Sequence, residues 1–232
     1  MLIRSIIFYS LLNLWTLIMG IICIPFLLLP NKLLKNPVNV WIFGIFELLK
    51  LTCNITYEIK GKENILNKPV LVASKHQSTF DTFVLYLFLK KSVFIHKKEL
   101  FYIPIFGQYL KKSSMISIDR KEGASAMRKM LKEANNKISQ GYSIIIFPEG
   151  TRKKPGEKPN YKRGFVGIYN EIQTEILPVA LNTGLCWPKN SFIKQPGHIT
   201  IKFLNIIPAG LKKEKVMKIL EERIENESNK II

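Results

Sequence analysis

Cysteine and histidine are both scarce in this 232-residue chain. The three cysteines, Cys23, Cys53 and Cys186, share no short spacing. That excludes a disulfide scaffold and a cysteine-based zinc cluster, and it points to a reducing compartment. His76, His96 and His198 are as scattered, so no metal-ligand set is assigned. With 13 glycines and 12 prolines the chain is neither collagen-like nor of low complexity, and 47% apolar residues exclude intrinsic disorder. Acidic residues are few as well, 17 against 35 basic ones, for a formal charge of +18. Only six of the basic residues are arginine. Lysine, isoleucine and asparagine are all abundant, as AT-biased coding produces, so part of the charge is background. The remainder favours an anionic partner: nucleic acid, an acidic membrane surface or a phosphorylated substrate.

Charge is missing altogether between Arg4 and Lys32. Residues 5–29 form an apolar run that would reach about 37 Å as a helix, enough for a hydrocarbon core of about 30 Å. The run is too long for the core of a signal peptide, and its end around Pro25 and Pro30 offers no small-residue cleavage site. A second apolar segment, 37–49, carries one charge, Glu47, and is too short to span; its Trp41 suits a membrane interface. Residues 1–50 therefore read as a helical hairpin sunk into one leaflet, with a single span and then a buried soluble hairpin as the competing readings. The flanking charges, Arg4 against Lys32 and Lys35, give no orientation signal.

Residues 51–232 read as one α/β domain, a mixed β-sheet flanked by helices. Strands are expected at 55–60, 70–74, 93–96, 115–118, 143–147, 176–181 and 199–204. Helices are expected at 79–89, 124–138 and 213–224, the second closed by Gly141. The run Ser143 to Phe147 is apolar throughout, as in a strand buried on both faces.

Two strand ends carry polar clusters. After strand 70–74 come Lys75, His76, Gln77, Ser78, Thr79, Phe80 and Asp81. A helix starting near Ser78 or Thr79 folds its first turn back beside the loop, where the Asp81 carboxylate can fix the tautomer of His76 and stabilise its protonated form. The plainer alternative makes Ser78 a helix cap and Asp81 a first-turn acid, and both can hold together. After strand 143–147 come Pro148, Glu149, Gly150, Thr151 and Arg152. Glycine permits close approach, threonine and arginine supply donors, and a guanidinium fork suits phosphate; a tight turn with exposed polar residues is the bland alternative.

The order His76-Gln77-Ser78-Thr79-Phe80-Asp81, then Phe147-Pro148-Glu149-Gly150-Thr151-Arg152, resembles the glycerolipid acyltransferase family, in particular bacterial members that acylate 1-acyl-sn-glycerol 3-phosphate. Further blocks lie in the family's order: Gly61 to Ile65, Lys97 to Leu100, Pro104 to Gly107, Ile118 to Arg120, Lys162 to Gly164 and Leu177 to Ala180. The resemblance covers about residues 55–185. One position departs: Lys75 stands where the family often has Asn.

The resemblance implies the family's α/β fold and a catalytic pair. His76 would be the general base and Asp81 its partner, activating the acceptor hydroxyl for direct attack on an acyl thioester. No enzyme nucleophile is then needed, in keeping with the absence of a Gly-x-Ser-x-Gly elbow. Lys97, Arg120 and Arg152 would hold the acceptor phosphate, and Glu149, Gly150 and Thr151 would shape its pocket. The implied partners are lysophosphatidic acid, membrane lipid and an acyl donor, either acyl-coenzyme A or acyl-acyl carrier protein, with no resident cofactor and no metal. The product would be phosphatidic acid, for phospholipid biosynthesis. The expected location is the bacterial inner (cytoplasmic) membrane with the active site facing the cytoplasm. Glycerol 3-phosphate or another lysolipid, such as lyso-ornithine lipid, is the alternative acceptor. A membrane-tethered nucleic-acid-binding protein is the non-enzymatic alternative. Its basic residues would be expected in clusters rather than spread along the chain, and no nucleic-acid-binding signature is present.

Overall fold

The computed structural model describes residues 1–232 except Ile105; for Lys32, Arg120 and Arg163 it describes the backbone alone. Seven strands form one sheet in the order β1-β7-β6-β2-β5-β3-β4. They are β1 (Ile55–Lys60), β2 (Leu71–Ser74), β3 (Ser92–Lys97), β4 (Ile116–Ile118), β5 (Ser143–Ile146), β6 (Ile176–Leu181) and β7 (Gly197–Phe203). β2 is parallel to both β5 and β6, and β3 is parallel to β5 and β4. Among the pairings of the described strands only β6–β7 is antiparallel, so β1 and β7 run against the other five. The expected mixed sheet is present.

Among the described residues seven α-helices cover it: α1 (Leu2–Ile22), α2 (Lys35–Cys53), α3 (Phe80–Phe88), α4 (Phe106–Lys112), α5 (Ala124–Ser139), α6 (Arg163–Ile172) and α7 (Lys213–Lys230). Strand residues alternate between two cores, as the pleat requires. Val72, Leu177 and Val179 face Ile42, Ile45 and Phe46 of α2 and Val84 of α3. Leu71, Ala73 and Ile144 face Met130 of α5, Ile168 of α6 and Leu220 of α7. Every residue of β6 is buried, which explains its unbroken apolar sequence in the sheet centre. The buried positions of α5 (Ala126, Met130, Ala134) and of α7 (Val216, Leu220, Ile224) recur every four residues, one stripe per helix.

The strands expected from the sequence all form, with ends shifted by one or two residues. α7 runs past the expected end at 224 to Lys230 because Ser228 continues its buried stripe. α4 and α6 were not expected. The apolar positions of α6 do follow a helical period (Phe165, Ile168, Tyr169, Ile172), but Gly164 and Gly167 weaken its local preference, and packing on α5 supplies what propensity does not.

The N-terminal hairpin shares the first core. Phe8 of α1 is fully buried with its ring edge-on to Trp187, and α2 runs on to Cys53 directly before β1. Two tryptophans fasten the pair of helices: Trp15 Nε1 donates to the Trp41 carbonyl (3.0 Å) and Trp41 Nε1 to Thr16 Oγ1 (3.1 Å). Near the start of α1, Ser5 Oγ accepts from the backbone of Lys194 (2.9 Å). The buried Lys194 ammonium donates to the carbonyls of Ser191 and Phe192 and lies over the rings of Tyr9 (4.8 Å) and Trp187 (5.3 Å). Burial pushes this lysine down to about 8.

On the opposite face, α7 is tied to the loop after β2 by a charged cluster. Lys75 is 2% exposed; its Nζ lies 3.0 Å from Glu149 Oε1 and 2.6 Å from Glu225 Oε2. Tyr161 donates to the other oxygen of Glu225 (3.2 Å). Burial pushes Glu149 above the usual carboxylate range, against the pull of Lys75 and of the His76 N–H. Replacing Lys75 by Met would leave two carboxylates facing each other with no cation. Removing one partner of a buried ion pair costs about 3–5 kcal/mol, so Lys75→Met is expected to lower the unfolding midpoint sharply. Thermal unfolding in detergent checks this, and an unchanged midpoint contradicts it.

Candidate active site

β6, β2, β5 and β3 are neighbours and parallel, so their C-terminal ends open on one edge of the sheet. Each delivers a loop there: Thr183 after β6, residues 75–81 after β2, residues 147–152 after β5, and His96 with Lys97 at the end of β3. Crevices beyond the carboxyl ends of parallel strands are the usual place for sites in such sheets.

The first cluster folds as expected. His76 Nδ1 lies 2.9 Å from Asp81 Oδ2. The same oxygen accepts from the backbone of Gln77 (2.7 Å) and Ser78 (2.9 Å). Asp81 therefore closes the loop that leads into α3 and orients the imidazole in one move. Ser78 Oγ accepts from the Phe80 N–H (3.1 Å) from one residue ahead of the cap position; that position is Thr79, whose side chain makes no capping bond, so Ser78 is not the expected cap, while Asp81 does stand in the first turn. A carboxylate can only accept, so Nδ1 carries the proton toward Asp81 and Nε2 is left as the basic nitrogen. His76 is 16% exposed in its side chain and Asp81 is fully buried.

The second cluster holds the first. Glu149 Oε2 accepts from the His76 N–H (3.0 Å), and the His76 carbonyl accepts from the Lys153 N–H (2.7 Å). Both backbone polar groups of His76 are thus held by the 149–153 loop. Phe147 stacks on the imidazole at 3.8 Å between centroids. Gly150 has φ +66°, a left-handed conformation that other residues adopt with strain. Arg152 Nη1 donates to Thr79 Oγ1 (3.1 Å), which fixes the guanidinium beside the start of α3.

A cavity of about 1290 Å³ opens on this edge, and His76, Lys97, Glu149, Gly150, Thr151 and Arg152 all border it. The carboxylate of Glu149 faces away into the protein, toward Lys75, and is fully buried. The Arg120 side chain lies outside the described residues. Away from the polar end the wall is apolar, from Met19 and Trp41 of the hairpin, Phe83 of α3, and Met127 and Met130 of α5. Among the described residues no group of three or more His, Cys, Asp or Glu could hold a metal.

Three neighbours were not foreseen. Thr183 Oγ1 donates to Asp81 Oδ1 at 2.5 Å, from 102 residues along the chain. Lys189 borders the cavity, and its ammonium lies 3.4 Å from Thr151 Oγ1. His96 also borders it; its Nδ1 lies 2.8 Å from the Lys97 carbonyl, and burial holds it below the usual histidine range. No local pattern announces the first two, since both act across the sheet edge. His96 is one step from the expected Lys97, but a histidine alone in a strand carries no signal.

Comparison with known proteins agrees with this geometry. A family model described as Acyltransferase matches residues 56–182. The chain is similar to the 1-acyl-sn-glycerol-3-phosphate acyltransferase of Pseudomonas aeruginosa, with 34% identity over 86% of this chain and 78% of that one. The protein of the same name from Cocos nucifera is 35% identical over 64% of this chain, which spans 49% of its length. The crystal structure of the 1-acyl-sn-glycerophosphate (LPA) acyltransferase PlsC from Thermotoga maritima superposes with a TM-score of 0.81 over 99% of this chain and 95% of that one, at 23% identity, and so has the same fold. The family model covers more than half of the chain, with the His76–Asp81 pair and the Glu149–Arg152 loop inside it, and the chain belongs to the acyltransferase family.

Proposed function

We propose that this enzyme transfers an acyl group from a thioester to the free hydroxyl of 1-acyl-sn-glycerol 3-phosphate, giving phosphatidic acid. The observation that carries the reading is His76, held from behind by the buried Asp81, on the wall of a cavity that is cationic at one end and apolar along the rest. The names of the Pseudomonas and Cocos relatives agree with it. Nε2 of His76 takes the acceptor's hydroxyl proton while Nδ1–H stays on Asp81, which stabilises the imidazolium. The alkoxide oxygen bonds to the thioester carbonyl carbon, the C–S bond breaks, and the proton on Nε2 passes to the leaving thiolate. No covalent enzyme intermediate is required. Arg152, Lys189 and Thr151 supply donors for a phosphate, the guanidinium in a fork that can take two oxygens at once. The acyl chains occupy the apolar wall. The donor, acyl-coenzyme A or acyl carrier protein, is a co-substrate rather than a resident group.

The same proposal seats the protein on one leaflet. α1 is the one described helix long and apolar enough to cross a membrane. Yet both its ends touch the α/β body: Ser5 and Phe8 meet Lys194 and Trp187, and the Gly20 carbonyl accepts from Tyr109 (2.7 Å). A helix held at both ends lies along the body instead of leaving it. Its outer face, with Ile3, Leu14 and Ile22, is exposed and suits acyl chains. We infer the cytoplasmic leaflet of the inner membrane, in keeping with three free thiols. A cysteine introduced at Arg4 should react from the same side as one at Lys90; reaction from opposite sides contradicts the leaflet reading.

Two substitutions test the chemistry. His76→Ala should cut turnover by about 10²–10⁴-fold with the fold intact by circular dichroism. Asp81→Asn should lose most activity too, and the double variant should be scarcely worse than His76→Ala, because members of one unit are not additive. A folded His76→Ala with near-normal acyl transfer to lysophosphatidic acid removes the mechanism.

Arg152→Ala should raise the acceptor KM by about one to two decades, the loss of a charge-assisted hydrogen bond worth about 1.5–3 kcal/mol. Arg152→Lys should fall between, having lost the fork. A rise confined to the donor KM assigns the arginine to the other substrate.

A further inference from the structure

The carboxylate of Asp81 is unevenly supplied. Oδ2 accepts three hydrogen bonds, from His76 Nδ1 and the backbone of Gln77 and Ser78. Oδ1 accepts from the hydroxyl of Thr183 (2.5 Å). Both side chains are fully buried, so water does not reach either. Thr183 begins the single helical turn Thr183–Leu185 directly after β6, outside every motif read in the sequence and one residue beyond the matched family region.

That turn is fixed from several sides. Asn182 Oδ1 accepts from the Thr200 N–H (2.7 Å), and Asn182 Nδ2 donates to the Ile231 carbonyl (2.6 Å). The Gly184 N–H donates to Gln77 Oε1 (3.0 Å), inside the loop that carries the histidine. A Cβ on Gly184 would stand 3.0 Å from Gln77 Cβ and 2.9 Å from Pro155 Cδ, so the turn packs against both side chains with no room for one of its own. Threonine is also stiff at χ1, and its hydroxyl is presented in a defined direction.

We propose that Thr183 is a positioning residue for the reaction: its hydroxyl takes up part of the Asp81 charge at Oδ1 and, together with the two backbone donors on Oδ2, fixes the carboxylate that holds the His76 imidazole in the reactive tautomer. This rests on the acyl-transfer reading above for its kinetic readout. Without the hydroxyl, Oδ1 loses the one donor it has among the described residues, while Oδ2 keeps its three and stays on Nδ1 with more of the negative charge. The charge that Thr183 no longer shares bears on the imidazolium, so the protonated histidine is favoured. The charged groups nearby are otherwise engaged. Glu149 holds the His76 N–H, Lys75 faces Glu149 and Glu225, and Arg152 is on Thr79. Phe147 covers the ring face and brings no charge.

The test compares Thr183→Val, which keeps the shape, with Thr183→Ser, which keeps the hydroxyl, in detergent-purified full-length protein. Thr183→Val should lower kcat by about 10- to 100-fold with both KM values within about threefold, and move the acid limb of the pH–rate profile upward. Thr183→Ser should recover kcat to within about threefold of the parent. A substrate-free readout runs beside it: ¹⁵N titration of the His76 imidazole, whose midpoint should rise in Thr183→Val and return in Thr183→Ser. If the parent does not acylate lysophosphatidic acid, the functional reading falls while the imidazole titration still decides on Thr183. A Thr183→Val protein with the parent's kcat and imidazole titration overturns the proposal, as does a Thr183→Ser protein no better than Thr183→Val. Should Thr183→Val fail to fold, Thr183→Ser against Thr183→Ala decides, since both lack the methyl and differ in the hydroxyl alone.

Discussion

One of the two fully buried carboxylates among the described residues, that of Asp81, sets the terms for the rest of this site. Taking an ion of that kind out of water costs several kcal/mol unless donors replace its hydration. Four donors do so here: one imidazole, two backbone N–H groups and one hydroxyl. Three come from its own loop, and the fourth from the turn after β6. They can converge because β2 lies next to β6 in the sheet and the two strands are parallel. Strand order is thus a condition of the chemistry as well as of the packing. An antiparallel β6 would deliver Thr183 to the other edge.

The loop after β5 plays the complementary part. It reaches the other flank of the same histidine, holding its N–H through Glu149 and its carbonyl through Lys153. Glu149 can serve there because its charge is answered from behind by Lys75, which also reaches Glu225 on α7. Acid and base are kept apart by direction. The buried ion cluster faces into the protein, while Arg152 and Lys189 border the cavity and remain open to an anion. Ion clusters of this kind are weak contributors to net stability but strict about partners. Lys75, the departure from the usual motif, is where that strictness falls.

Periodicity and local chemistry made much of this legible. The seven strands, the amphipathic α5 and the His76–Asp81 pair follow from residues within a few positions of one another, and so does the apolar N-terminus. What escaped was whatever depends on distant chain. α6 needs packing on α5 to offset its glycines. Glu149 borders the cavity, but the inward contacts of its carboxylate were not foreseen, because its partners are Lys75 and the His76 backbone, more than seventy positions earlier. Thr183 sits 102 positions from Asp81, and nothing around it in the sequence marks it. Strand order decides which ends become neighbours, and a strand's own residues do not state it.

The hairpin belongs to this argument and is not merely appended to it. Thr16, Met19 and Gly20 of α1 and Trp41 of α2 border the same cavity as His76. The tryptophan pair that fastens α1 to α2 also sets Trp41 edge-on to Phe83 of α3, in the first turn of the helix whose entry loop Asp81 closes. A lipid acceptor that entered along the hairpin would never have to leave an apolar surface before its headgroup met Arg152. The acyl chains then need no full transfer into water, a cost of about 0.8 kcal/mol for every methylene exposed. The fold meets the two halves of an amphiphile with the two halves of one cavity, and the histidine stands where they join.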